Sequence, residues 1–182
     1  SGGVVVPPQG YLERLREICT QHDILLIFDE VITGLGRCGA ATAADALGVI
    51  PDMINMAKQL TNGLIPMGAV ALRQDIYEAF MSVEQPKYGI ELPHGYTYSA
   101  HPLGIAAAMA TLDYIEQEDL LNQSAVNAQR LERLIHELQG SRHVVDIRNF
   151  GLAGAIQLEP RDGDPLARPY EAGVALWQRD NY

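Results

Sequence analysis

Two of the 182 residues are lysines, Lys58 and Lys87, and their settings differ. Lys58 closes an apolar run, Met53-Ile54-Asn55-Met56-Ala57, and is followed by Gln59-Leu60-Thr61-Asn62-Gly63. Lys87 stands in Gln85-Pro86-Lys87-Tyr88, the setting of a solvated surface lysine. A second apolar run, Ile24 to Phe28, ends in the carboxylate pair Asp29-Glu30. Ligands of open α/β sheets bind outside the carboxyl ends of the strands. An amine and an acid delivered there by two strands form a candidate active-site rim.

An amine that can form a Schiff base and a carboxylate that keeps a pyridine nitrogen protonated are what pyridoxal 5'-phosphate requires of a protein. Taken alone, Asp29 reads better as a strand-end acid paired with Arg37 or capping a helix, since such pairs are common. Lys58 at the end of a neighbouring strand shifts the weight toward the cofactor. The segment His94-Gly95-Tyr96-Thr97-Tyr98-Ser99-Ala100-His101-Pro102 offers hydroxyls and backbone amides to a phosphate. It reads also as an ordered aromatic turn without a ligand.

Two other motifs compete. Gly34-Leu35-Gly36-Arg37-Cys38-Gly39 matches G-x-G-x-x-G, with Asp52 following. A dinucleotide site needs the first glycine directly after the strand and the ribose-binding acid at a strand end. Here Asp29 and Glu30 intervene and Asp52 precedes its strand, so the glycines are expected to serve sharp turns. The run into Asp29-Glu30 also resembles a Walker B strand, but G-x-x-x-x-G-K-[ST] is absent from the chain. A nucleotide-binding α/β domain is therefore a remote alternative.

The elements that must position these residues follow from periodicity. Pro7-Pro8-Gln9-Gly10 launches a helix to about His22, with Leu12, Leu15, Ile18 and Cys19 at helical spacing. The continuous apolar character of Ile24 to Phe28 predicts a strand buried on both faces, as in a parallel sheet. A helix is expected within Ala40 to Leu47, a strand ending at Lys58, another over Gly68 to Leu72 and a helix over Asp75 to Met81. Glu84 to Pro102 reads as a long functional loop. Leu103 to Ile115 is predicted as a buried helix and Leu120 to Leu138 as an amphipathic one. Strands follow at Val144 to Arg148 and Ala153 to Glu159, then a polar turn over Pro160 to Pro165 and a helix from about Tyr170. A domain boundary is placed near residue 118, dividing the chain into 1–118 and 119–182.

Composition narrows the partners. The chain is 47% hydrophobic and 20% charged, with a net charge of −10. That balance argues against nucleic acid or an anionic membrane surface, and no run approaches the roughly 20 apolar residues of a membrane helix. Cys19 and Cys38 have no ligand or disulfide-framework spacing, so no metal is expected and a reducing cytoplasm is the default. The chain opens at Ser1 without a methionine and stops at Tyr182, and is expected to be a piece of a longer protein.

The motifs together resemble those of the class III pyridoxal-phosphate aminotransferases of fold type I. The matching residues are Leu26 through Gly34, Ala57-Lys58-Gln59, Thr61 through Val70, and His94 through Pro102. Asp146 through Gly154 and Pro160 through Asp164 are similar to the omega-amino acid–pyruvate (β-alanine–pyruvate) subgroup. The resemblance implies an α/β fold: part of a large domain with a mainly parallel sheet, over 1–118, and the start of a small C-terminal α+β domain. It implies that Lys58 holds the cofactor and moves the proton, that Asp29 binds the pyridine nitrogen and that Val31 packs on the ring. Thr97, with Tyr96 beside it, would reach the phosphate bound by the other subunit of a homodimer or higher homo-oligomer. An amine donor such as β-alanine and pyruvate would be the substrates and alanine the product. Leu35 and Cys38 depart from the family's usual Phe and Thr. The phosphate turn, the stacking aromatic and the carboxylate-binding arginine of the family would fall outside residues 1–182. The isolated piece is accordingly expected to be inactive, and a non-catalytic fragment is the alternative.

Overall fold

The computed structural model describes residues 3–84, 86–89 and 92–159. The expected turn at Pro160 to Pro165 and the helix from Tyr170 lie outside them. The chain begins with helix α1 (Tyr11–Gln21), whose N-cap Gly10 adopts φ 84°, a conformation that suits glycine. Cys19, on the inner face of α1, packs with Leu26 and Val49, and Leu12, Leu15 and Phe28 close over this cluster.

Strand β1 is Ile27–Asp29, shorter than the apolar run that predicts it. The ladder starts late because Leu26 donates its N–H to the Asp52 carboxylate instead (2.6 Å). Strand β2 (Met53–Met56) runs parallel to β1 with Asp29 opposite Asn55. Strand β3 (Ala69–Leu72) pairs antiparallel to β2, giving a mixed sheet ordered β1-β2-β3. Burial on both faces does not hold for this chain: Ile27 is 50% exposed and β2 is half-buried throughout. The reason is coverage: among the described residues Leu26 and Phe28 pack on the cluster beside α1, while Ile27, on the opposite face of the strand, is not part of it.

Helix α2 (Ala43–Leu47) links β1 to β2 and is capped by Thr42, which accepts the Asp45 N–H and donates its hydroxyl to the Asp45 carboxylate. Helix α3 (Gln74–Met81) follows β3. Helix α4 (Pro102–Gln117) has Pro at its first position, where no N–H is needed. Helix α5 (Leu120–His136) packs against α4 and against the hairpin of β4 (Val144–Phe150) and β5 (Ala153–Leu158). The expected burial of α4 is corrected: only Gly104 and Ala108 are buried, while Leu103, Met109 and Tyr114 are more than half exposed. Among the described residues its main neighbours are α5 and the turn after β2, which cover one side of an all-round apolar helix.

Asp52 ties α1, β1 and β3 together. Its carboxylate is 3% exposed and accepts from Arg16 (2.7 Å), from Arg73 and from the Leu26 N–H. Burial alone would raise this carboxyl. The Arg16 hydrogen bond, the Leu26 N–H and the charges of Arg16 and Arg73 outweigh it and hold Asp52 below the usual carboxylate range. A depressed folded-state value stabilises the fold above the unfolded pKa of about 4, and that contribution is lost as pH falls through the folded value. Asp52→Asn should therefore cost about 3 kcal/mol at neutral pH, because it leaves two guanidinium groups and a buried N–H poorly matched. Denaturant midpoints of the two proteins should converge in acid; a gap independent of pH would show that the ion pairs contribute nothing.

Candidate active site

Asp29 ends β1 and Lys58 stands two residues beyond the end of β2, opening a 3-10 turn, Lys58–Thr61. The parallel register brings both to the carboxyl edge of adjacent strands. Both line one cavity of about 560 Å³, together with Val31, Thr33, Arg37 and Phe150. That volume lies within the usual range for small-ligand sites. Val31 is half-buried, while Asp29 and Lys58 are exposed to the cavity mouth. The strand expected to end at Lys58 ends instead at Met56, half-buried, and the lysine stands open in the turn beyond it.

Lys58 is held in the left-handed region, φ 47°, which a non-glycine residue seldom adopts. The turn behind it over-determines that conformation. The Gly63 N–H donates to the Lys58 carbonyl (3.2 Å), and the buried Thr61 hydroxyl donates to the Ile65 carbonyl (2.6 Å). Backbone strain of this kind costs of order 1 kcal/mol and collects at functional positions. Lys87, by contrast, lies 5.9 Å over the Tyr88 ring and lines no part of this cavity.

Asp29 accepts the Val31 N–H (3.2 Å) and makes no salt bridge to Arg37 among the described residues. The carboxylate that caps a helix is its neighbour. Glu30, 2% exposed, accepts the N–H groups of Ala43 (2.6 Å) and Ala44 (2.9 Å) at the start of α2 and the Thr33 hydroxyl (3.3 Å). Adjacent acids therefore have separate roles, one open to the cavity and one consumed by backbone.

The glycine loop turns away from any dinucleotide arrangement. Gly36 and Gly39 take φ 100° and 79° and lie against α5, where Ser124 donates its hydroxyl to the Gly36 carbonyl. The Leu152 N–H donates to the Arg37 carbonyl (2.8 Å), and a Cβ at Gly151 would meet the Cys38 backbone at 2.5 Å. Asp52, the acid a ribose would need, is committed to arginines. Cys38 is pushed up to about 11 by burial first and the Glu30 charge second, against the pull of Arg37, so it is a thiol at neutral pH.

Thr97 and Tyr96 are not brought to this cavity. Both are exposed, Tyr96 at 79%, in a turn where the Tyr96 N–H donates to the Ser99 hydroxyl (2.8 Å) and the Ser99 N–H to the Tyr96 carbonyl (2.9 Å). Thr33 and Phe150 are cavity residues that their local sequence does not advertise. Arg37 is a third, and its place in the loop directly after Asp29 was the available signal.

A protein-family model described as Aminotransferase class-III matches residues 1–180. The chain belongs to the class-III aminotransferases. It is 57% identical over its whole length to a beta-alanine–pyruvate aminotransferase of Pseudomonas aeruginosa, spanning 41% of that protein. It is 56% identical to an omega-amino acid–pyruvate aminotransferase of Pseudomonas putida, spanning 40% of it. The chain thus covers less than half the length of these relatives. Among solved structures, a transaminase with L-alanine superposes with a TM-score of 0.87 at 30% identity, over 99% of this chain and 45% of that one. An (S)-enantioselective omega-transaminase from Thermomicrobium roseum gives 0.79 at 35% identity, over 87% of this chain and 34% of that one. These two solved transaminases share the α/β fold of the piece described above.

Proposed function

We propose that the whole protein, of which this chain is part, is a pyridoxal 5'-phosphate-dependent transaminase that moves an amino group from an omega-amino acid or amine such as β-alanine to pyruvate, giving alanine. The observation that carries this is the meeting of one carboxylate, Asp29, and one amine, Lys58, in a single cavity with Val31. That donor set fits pyridoxal phosphate, since the acid suits a pyridine nitrogen and the amine an aldehyde. The bound cofactor would supply an electron sink for the carbanion at the substrate carbon. Lys58 would hold the cofactor covalently at its Nζ and carry the proton off and back at that carbon. The Asp29 carboxylate would keep a proton on the pyridine nitrogen, and Val31 would fix the ring plane. The names of the close relatives support the substrates. Borohydride reduction of the full-length protein, followed by peptide mapping, tests the assignment: the cofactor should be fixed on Lys58.

Thr97, with Tyr96, is proposed to serve the phosphate bound by a partner subunit of a homodimer. The exposure of the turn and its absence from the Lys58 cavity favour that arrangement. Mixing full-length Thr97→Ala with Lys58→Ala should restore activity, because hybrid dimers would contain one site with both lesions and one with neither. A mixture that exchanges subunits yet regains nothing would refute service in trans. Residues 1–118 are taken as part of the large domain and 119–182 as the start of the small one, and the enzyme as cytoplasmic.

A further inference from the structure

We propose that Glu30 is a positioning residue of this site, its buried carboxylate clamping the two ends of the loop that walls the cavity. The clamp joins residue 30 to residues 43 and 44, a span of 13 residues at its shorter bond. Val31, Ile32, Thr33, Arg37, Cys38 and Ala43 lie within that span and line the cavity with Asp29 and Lys58. The Glu30 backbone is fixed as well, its N–H donating to the Asn55 carbonyl (2.9 Å) and its carbonyl accepting the Gly34 N–H (3.0 Å). Gly34 leaves no room for slack, because a Cβ there would sit 3.0 Å from the Glu30 carbonyl.

A carboxylate buried this completely is stable only where hydrogen bonds replace its water. Two short bonds from backbone N–H groups at a helix start, with a third from Thr33, do so here. Glutamine cannot substitute, because its amide presents one oxygen and turns an NH₂ toward a donor. The core cluster of Cys19, Leu26 and Val49 draws no member from the loop. Releasing the clamp therefore loosens the wall beside Asp29 and Lys58 ahead of the core.

This inference rests on the transaminase reading of the cavity, and the experiment separates the two. In the full-length protein, Glu30→Gln should speed amide exchange over residues 31–44 by about tenfold to a hundredfold, the worth of one or two charged hydrogen bonds. Pyridoxal phosphate should dissociate more readily by a similar factor. The substrate KM should rise while kcat at saturating cofactor stays within about threefold of wild type, the signature of binding lost equally in ground and transition states. If Glu30→Gln does not fold, Ala43→Pro removes one donor of the same clamp at a first helical position, where proline is tolerated and Thr42 already has the extended backbone it requires. It should produce the smaller end of the same changes. Unchanged exchange and unchanged cofactor affinity in the variant that folds would overturn the clamp. A wild-type protein that takes no pyridoxal phosphate would overturn the transaminase reading instead, with the exchange data still deciding the clamp.

Discussion

Lys58→Ala in the full-length protein is expected to lower transaminase turnover by at least about five orders of magnitude, roughly 7 kcal/mol in the barrier. The size follows from two duties resting on one Nζ. It would hold the cofactor covalently, and it would be the base that takes the proton from the substrate carbon. Neither duty has a substitute nearby, since Lys87 stands outside the cavity and Arg37, the other basic side chain lining it among the described residues, carries a guanidinium rather than a primary amine. Added small amines should return a little activity by replacing the base but not the tether. Retention of more than about a thousandth of wild-type kcat/KM, or borohydride labelling on Lys87, would remove Lys58 from the role.

Asp29→Asn is expected to cost several orders of magnitude in rate, equivalent to about 4 kcal/mol or more. The substitution keeps the shape of the side chain, and its oxygen can still accept the Val31 N–H, so the fold should be unaffected. What disappears is the negative charge that would hold a proton on the pyridine nitrogen, and with it the ring's capacity to accept electrons from the substrate carbon. Unchanged thermal stability beside a collapsed rate is the expected pair of measurements. Near-normal turnover would mean that the ring nitrogen is held by another group.

Asp29 and Lys58 were legible in the sequence because their signals are local. Each follows an apolar run, and a strand that ends in a charged residue exposes it at the sheet edge. Helices α1, α3, α4 and α5 were legible in the sequence to within a residue or two at each end. The bounds of β1 were not, because a side chain, Asp52, takes the Leu26 N–H that the ladder would have used.

The division of labour between Asp29 and Glu30 lay beyond sequence. Both are acids at one strand end, and which of them caps a helix depends on where residues 43 and 44 return in space. The same holds for the glycine loop, whose pattern fits a phosphate site and whose place against α5 and the β4-β5 turn is set by close packing at Gly36, Gly39 and Gly151. Burial of α4 and of β1 was expected from their apolar sequences and does not hold, since burial depends on what else covers a surface. Local pattern thus singled out a candidate acid and a candidate amine and the elements that carry them. Tertiary structure decided their shared cavity, the buried clamp behind it and the burial of each face, because those depend on contacts between residues far apart in the chain.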